Sequence, residues 1–298
     1  AMESAPSMIP EVGAFLLGAP KAGTTWLADA LSQHPGICVS EPKEPNIIAT
    51  HKGTFRRENI QPDWEKYAGC FVEEGLRMDC SIHALACPIA PQRISEFWPG
   101  AKLVISLREP VSRTISHWNM ITETEEDKAN NEDWGDFERA WGDPRLYCDT
   151  LYGSSISKWL EFFDLDSLLI IEAKRMRKEP LEVLKEICEH IGVDDYSFDL
   201  DIVHNANVAS DRRPITLFGR LFRGVANLLP NFVKRPIVRW LQRKGVNVYK
   251  LPLISSKAPE KREITNQQRV LLAEKVNADL SLLEELTGFS NPDWLIQP

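Results

Sequence analysis

The stretch Ala14-Phe15-Leu16-Leu17-Gly18-Ala19-Pro20-Lys21-Ala22-Gly23-Thr24-Thr25-Trp26-Leu27 decides the fold. An apolar run leads into a loop bounded by Gly18 and Gly23, and a helical pattern continues from Leu27 to Gln33. The order is therefore strand, glycine loop, helix N-terminus. Such a loop aims several backbone N–H groups at one point, where the helix dipole already favours an anion. Lys21 adds a full positive charge, and Thr24 and Thr25 add hydroxyl donors. Lys21, Ala22, Gly23, Thr24, Thr25 and Trp26 are accordingly the candidate phosphate cradle.

The nearest general pattern is the P-loop, G-x-x-x-x-G-K-[ST]. Gly18 and Gly23 keep its spacing, but Thr24 stands where its lysine belongs and Lys21 lies inside the loop after a proline. A second motif follows about ninety residues on. Leu103-Val104-Ile105-Ser106-Leu107 reads as a buried parallel strand and runs into Arg108-Glu109-Pro110-Val111-Ser112-Arg113-Thr114-Ile115-Ser116-His117-Trp118. Arg108 leaves the strand end, and Pro110 suits a first helical turn. Ser116, about two helical turns past Arg108, is placed to reach the same ligand phosphate.

The first loop resembles the 5′-phosphosulfate loop of sulfotransferases that use 3′-phosphoadenosine 5′-phosphosulfate (PAPS). The second resembles that family's 3′-phosphate motif, R-x-P-x-x-R-x-x-S-x-[WY]. The resemblance extends to Asn291-Pro292-Asp293-Trp294-Leu295. It is nearest to the branch holding heparan-sulfate sulfotransferase domains and many bacterial sulfotransferases. It implies an α/β fold of P-loop-like kind, a central parallel sheet between helical layers, and PAPS as donor. PAPS would leave as adenosine 3′,5′-bisphosphate, with no metal expected.

Lys43-Glu44-Pro45-Asn46-Ile47-Ile48 resembles the family pattern K-E-x-x-F-F. This implies Glu44 as the base and Lys43 as a helper for the transferring sulfonate; isoleucines replace the two aromatics. Asp79-Cys80-Ser81-Ile82-His83 resembles the family's E-[KS]-[ST]-P-x-Y stretch, with aspartate for glutamate and Ile82 and Ala84 for proline and tyrosine. His83 is the alternative base, and a polar packing role is the bland reading. His117 reads as structural. Tyr152 opens a segment resembling Y-x-x-x-[LI]-x-x-W near the 3′-phosphate. Lys261 and Arg262 precede the last helix, where related enzymes close a basic loop over the nucleotide. No clear adenine stacker stands out.

The chain has 298 residues, 43% of them hydrophobic, enough for one large core. The expectation is a single domain over residues 1–298 with a basic helical insertion at about 204–255. The net charge of −8 hides +9 between His204 and Lys250. Three readings of that segment stay open: a packed insertion with a solvated rim, a docking surface for an anionic substrate, and a peripheral membrane contact. Acidic residues gather from Glu123 to Glu138. Six scattered cysteines without C-x-x-C spacing read as reduced thiols of a cytoplasmic protein. No apolar run is long enough to span a membrane.

Further strands are expected at Ile37–Ser40 and Leu168–Ile171, and helices at 89–97, 155–163, 180–191 and 266–286. Leu181 and Leu184 are expected to face inward in the third of these, and Val270, Leu271, Val276 and Leu283 in the last. Sulfuryl transfer to a hydroxyl or amine is the expected activity, on a small-molecule, saccharide or lipid acceptor and without nucleic acid. The alternatives are a non-catalytic protein that binds PAPS or its bisphosphate product, and a P-loop small-molecule kinase, whose G-K-[ST] lysine is missing here.

Overall fold

The structure, a computed structural model, describes residues 9–201, 203 and 261–297. The basic segment expected at 204–255 lies outside the described residues, as do Ser256 and Lys257.

Five strands form one fully parallel sheet in the order β2-β3-β1-β4-β5. They are β1 (Ala14–Gly18), β2 (Ile37–Val39), β3 (Leu76–Asp79), β4 (Lys102–Leu107) and β5 (Leu168–Glu172). Phe15 of β1 is in register with Leu103 of β4 on one side and Asp79 of β3 on the other. β1 and all of β4 after Lys102 are buried, which suits strands covered by helices on both faces. The helices α1 (Thr24–Leu31), α2 (Trp64–Ala68), α3 (Ala90–Phe97) and α4 (Pro110–Glu123) accompany the first four strands. Three short helices follow, α5 (Glu126–Ala129), α6 (Phe137–Gly142) and α7 (Pro144–Tyr147), and then α8 (Tyr152–Trp159). After β5 come α9 (Ala173–Lys178), α10 (Pro180–Ile191) and, beyond residue 260, α11 (Asn266–Thr287). Among the described residues no helix is long and apolar enough to cross a membrane.

The expected α/β architecture is the observed one. α10 starts on Pro180 and stops at Gly192, whose φ of 77° is the left-handed cap conformation glycine adopts without penalty. β3 was not anticipated from the sequence. Two inward faces differ from expectation. In α10 Val183, Leu184, Ile187, Cys188 and Ile191 are buried, while Leu181 in the first turn is 51% exposed. In α11 Leu272, Val276, Asp279 and Leu283 are buried, while Val270 and Leu271 are about half exposed.

Asp279 belongs on that buried stripe because it caps α8. Its carboxylate accepts from the backbone N–H groups of Gly153 and Ser154, both at 2.8 Å, and from the Ser154 hydroxyl. The two helices approach so closely that a Cβ on Gly153 would lie 2.7 Å from Leu283 N and closer still to Asp279 O. Backbone cannot move aside as a side-chain tip can. Gly153→Ala should therefore destabilise the protein by about 1–3 kcal/mol, the usual cost of overpacking, and lower the urea midpoint. An unchanged midpoint would mean that the α8–α11 contact is slack.

Candidate functional site

Because every strand runs the same way, the segments leaving β1, β2, β3 and β4 emerge at one edge of the sheet. In open α/β sheets ligands gather at that carboxyl edge. The loop after β1 is folded by left-handed backbone at Lys21 (φ 71°) and Gly23 (φ 87°). For a lysine that conformation costs about 1–3 kcal/mol and persists only where the surroundings impose it. They do so here. Ala19 N–H donates to Ser106 O at 2.7 Å, and the Ser106 hydroxyl donates to Ala22 O at 2.6 Å. The loop is thus clamped to β4 from both of its halves.

α1 begins at Thr24 with Gly23 as its cap, which brings no side chain to the helix end. The first bond of the ladder is Leu27 N–H to Gly23 O at 3.2 Å, so the amides of Thr24, Thr25 and Trp26 lie ahead of the ladder. Thr24 is buried, Thr25 and Trp26 half-buried, and Lys21 half-buried beside Met120. Lys21, Ala22, Gly23, Thr24, Thr25 and Trp26 thus lie in one clamped loop and the first turn of α1.

At the end of β4, Arg108 Nη1 donates to Lys21 O at 3.2 Å, which joins the two expected phosphate motifs directly. Glu109 caps α4 by accepting from Val111 N–H and Ser112 N–H at 2.9 and 2.7 Å. That fixes the helix carrying Ser116, which is half-buried. Beside Arg108 opens a cavity of about 330 Å³, lined in part by Ser112, Lys174, Arg177, Asn291 and Trp294. Burial lowers the Arg108 pKa, and the neighbouring Arg177 charge lowers it further. The lining carries three cations, Arg108, Lys174 and Arg177, together with the carboxylates of Glu109, Glu172 and Asp293. Glu109 is already spent on the α4 cap, and Glu172 accepts from Asn291. Sequence reasoning missed Arg177 and Ser112. Ser112 lies one turn before Ser116 on the same helix face, a spacing that was available as a signal.

Two expected ligand contacts are placed differently. Tyr152 has no solvent exposure, and its hydroxyl donates to Arg108 O at 2.7 Å. It holds the backbone of Arg108 in place. Arg262 donates to Gly135 O at 3.2 Å and lies over the Trp118 ring at 5.5 Å, while its backbone pairs twice with Asn119. Its guanidinium is thus committed to packing one turn beyond Ser116. Lys261 is exposed.

The Lys43–Glu44 segment follows β2. The two side chains pair at 2.9 Å and are 21% and 30% exposed, so both are reachable from solvent. The segment is stitched to the end of β3: Ser40 donates to Lys43 O at 2.7 Å, Cys80 N–H reaches Ser40 Oγ, and Asn46 N–H donates to Ser81 Oγ at 3.0 Å. Ile47 and Ile48 are buried in the core, which explains why an aliphatic pair serves there. Asp79 is buried and accepts from the Tyr67 hydroxyl and from Ser81 N–H, so it is spent on the turn. His83 is 8% exposed, and burial pulls its pKa down, keeping the imidazole neutral. His117 has no exposure and meets Thr54 Oγ1 at 2.8 Å, in keeping with a structural role.

Arg113, the second arginine of the β4 motif, is fully buried. It donates to Thr150 Oγ1 at 2.8 Å, to Leu146 O at 3.2 Å and to Pro20 O in the loop at 3.5 Å. It also pairs with His117 Nδ1.

The family described as the sulfotransferase domain matches residues 13–207. Among curated relatives, heparan sulfate glucosamine 3-O-sulfotransferase 3A1 of Mus musculus is 24% identical over 189 residues, covering 60% of this chain and 45% of its own length. Bifunctional heparan sulfate N-deacetylase/N-sulfotransferase 3 of Homo sapiens is 26% identical over 195 residues, covering 60% of this chain and 22% of its own length. The chain thus spans less than half the length of these relatives. A crystal structure of a sulfotransferase from Alicyclobacillus acidocaldarius shares the fold, with a TM-score of 0.64 over 96% of this chain and 99% of that one, at 19% identity.

The two motif arginines should separate in their effect on stability. Arg113→Ala strands a buried network and should cost about 3–5 kcal/mol. Arg108→Ala removes one hydrogen bond from a half-buried group and should cost about 1 kcal/mol. Denaturant titration of both variants reads the difference, and equal losses would refute this division.

Proposed function

The chain belongs to the sulfotransferase family, and we propose that within it this protein moves a sulfuryl group from PAPS to a hydroxyl or amine of its acceptor. The observation that carries this reading is the hydrogen bond from Arg108 to the Lys21 carbonyl, with the Lys43–Glu44 segment leaving the same sheet edge. Lys21 and Arg108, on two motifs that this bond joins, offer separate cations for a nucleotide with two phosphates. Lys21 and the amides of Thr24, Thr25 and Trp26 receive the 5′-phosphate, which gains charge as it leaves. Arg108 and Ser116 take the 3′-phosphate, and Arg177 and Ser112 join them.

In the transfer, the nucleophile's oxygen or nitrogen bonds to sulfur. The bond from sulfur to the phosphate oxygen breaks, and its electron pair stays on the 5′-phosphate. The nucleophile's proton passes to the Glu44 carboxylate. Lys43, paired with Glu44, is placed to meet the charge of the sulfonate. By analogy with phosphoryl transfer, the rate comes from positioning and from charge stabilisation. The relatives are named for heparan sulfate, one of them for its glucosamine, which favours a sugar hydroxyl or amine among saccharide, small-molecule and lipid acceptors. All six cysteines are unpaired and five are buried, and a cytoplasmic setting is kept as part of the proposal.

Adenosine 3′,5′-bisphosphate should stabilise the fold by about 2.7 kcal/mol at 100 times its dissociation constant. Adenosine 5′-monophosphate should bind more weakly, because Arg108, Ser116 and Arg177 lose their partner. Thermal shift at millimolar nucleotide measures both; no response to the bisphosphate would sink the donor assignment.

Glu44→Gln keeps shape and hydrogen bonding but cannot take the proton. With labelled PAPS and an acceptor found by screening saccharides, small molecules and lipids, turnover should fall by roughly 10²–10⁴. Affinity for the bisphosphate should be unchanged. His83→Asn should cost less, and the reverse ranking would move the base to His83.

A further inference from the structure

Behind the Glu44 segment lies a buried polar cluster that the proposed transfer leaves unused. Asp149 is 2% exposed, and neither of its carboxylate oxygens has a hydrogen-bond partner. Two imidazoles face it, with His83 Nδ1 at 3.8 Å and His117 Nδ1 at 3.7 Å from Oδ2. A buried carboxylate without a donor is costly, so the proton positions on these rings matter.

His117 has no hydrogen to offer on that side. Its Nδ1 lies 3.1 Å from Arg113 Nη1, and a guanidinium nitrogen only donates. The Nδ1 of His117 is therefore an acceptor. Its ring hydrogen sits on Nε2 and points at Thr54 Oγ1. Burial and the Arg113 charge hold that ring neutral.

His83 differs. Its Nδ1 is buried with no hydrogen-bond partner. With the hydrogen on Nε2, the bare Nδ1 would face a bare carboxylate in the interior. With the hydrogen on Nδ1, the same approach becomes an attraction that closes to a hydrogen bond with a small movement, as loose geometries in ligand-free sites commonly do. The backbone here is tied to the Glu44 segment through Ser81 and Asn46. The Glu44 charge also acts on the His83 ring.

We infer that Asp149 is a positioning residue whose carboxylate, set opposite Nδ1 of His83, holds that imidazole as the Nδ1–H tautomer. Nε2 is then a bare acceptor for a second polar hydrogen of the acceptor molecule, an amine's other N–H or a neighbouring hydroxyl, while the nucleophile's transferred proton goes to Glu44. The inference rests on the proposed function only for what Nε2 receives. The arrangement follows the general logic of a carboxylate that fixes the tautomer of a neighbouring imidazole.

The groups acting on His83 come from several elements. Asp149 and Glu44 favour its protonation, and Arg57 and Arg113 oppose it. The rings of His51 and His117 couple to it as well. Removing the Asp149 charge therefore moves the His83 midpoint to lower pH.

The test is long-range ¹H–¹⁵N correlation spectroscopy on the full chain labelled at histidine, with His83 assigned through His83→Asn. The expected result at neutral pH is a protonated Nδ1 and an unprotonated Nε2. Asp149→Asn should shift His83 toward the Nε2–H tautomer and lower its midpoint. Asp149→Glu, which keeps the charge, should retain the Nδ1–H form. His83 found as Nε2–H in the unmodified protein overturns the inference, whether or not the variants fold. So does a folded Asp149→Asn protein with tautomer and midpoint unchanged. Thermal shift with adenosine 3′,5′-bisphosphate on the same samples tests the donor reading separately, and its failure leaves the tautomer result standing.

Discussion

A guanidinium group sealed from solvent holds the ligand edge together. Arg113 sits inside α4, yet its bonds reach the Pro20 carbonyl of the β1 loop, the Leu146 carbonyl of α7 and the Thr150 hydroxyl just before α8. Burying a charge is tolerated only when it is paired and hydrogen-bonded. Arg113 therefore fixes the relative positions of three segments that no strand pairing connects. Asp149 supplies charge of the opposite sign from the neighbouring turn. The interior next to the site is thus polar, and it is ordered by that polarity.

Around this anchor, parallel pairing does the rest. A parallel sheet needs a crossover between each pair of strands, so each loop at the carboxyl edge can carry different chemistry without disturbing the ladder. β1 lies between β3 and β4, which makes its loop a neighbour of both. Gly18 permits that closeness. A Cβ there would lie 2.8 Å from Ile82 O, in the turn that leads to His83. The same loop is clamped on its other flank by Ser106. The β1 loop, the end of β4 and the His83 turn are thus held close by strand pairing, by the Ala19–Ser106 backbone bond and by the Ser106 hydroxyl.

The sequence made this edge legible because its signals are local. Glycine spacing, a buried strand ending in Arg108, and Pro180 with Gly192 around α10 each depend on a few adjacent residues. What stayed hidden depends on distant partners. β3 is four residues, Leu76-Arg77-Met78-Asp79, too short and too polar to read as a strand before its neighbours β1 and β2 are known. The inward face of α11 was misplaced because an acid was left out of it. Asp279 is buried with Leu272, Val276 and Leu283 for the sake of the α8 cap, and including it rotates the stripe away from Val270 and Leu271. Arg177 carries no motif. It reaches the Arg108 cavity only because β5 lies beside β4 and delivers α9 there.

The same reasoning separates the two sides of the site. On the phosphate side, the residues that match the family pattern are braced by backbone bonds: Lys21 through its carbonyl to Arg108, Arg108 through its carbonyl to Tyr152, and Ala22 to Ser106. A loop fixed in this way suits a donor that does not change. On the other side the departures from the family pattern accumulate. Ile47 and Ile48 stand for aromatics, Asp79 for glutamate, and Ile82 and Ala84 for proline and tyrosine. These residues belong to the two segments that carry Glu44 and His83, which Asn46 and Ser81 tie together. Ile47, Ile48, Asp79 and Ala84 are all buried, so the altered residues act through the packing beneath these two segments. Under the proposed function, an acceptor whose reacting group approaches Glu44 would also have to offer a second polar hydrogen to the neutral imidazole of His83. That two-point requirement discriminates between acceptors more sharply than apolar contact does, because a candidate that fails to pair leaves a desolvated polar group unpaired.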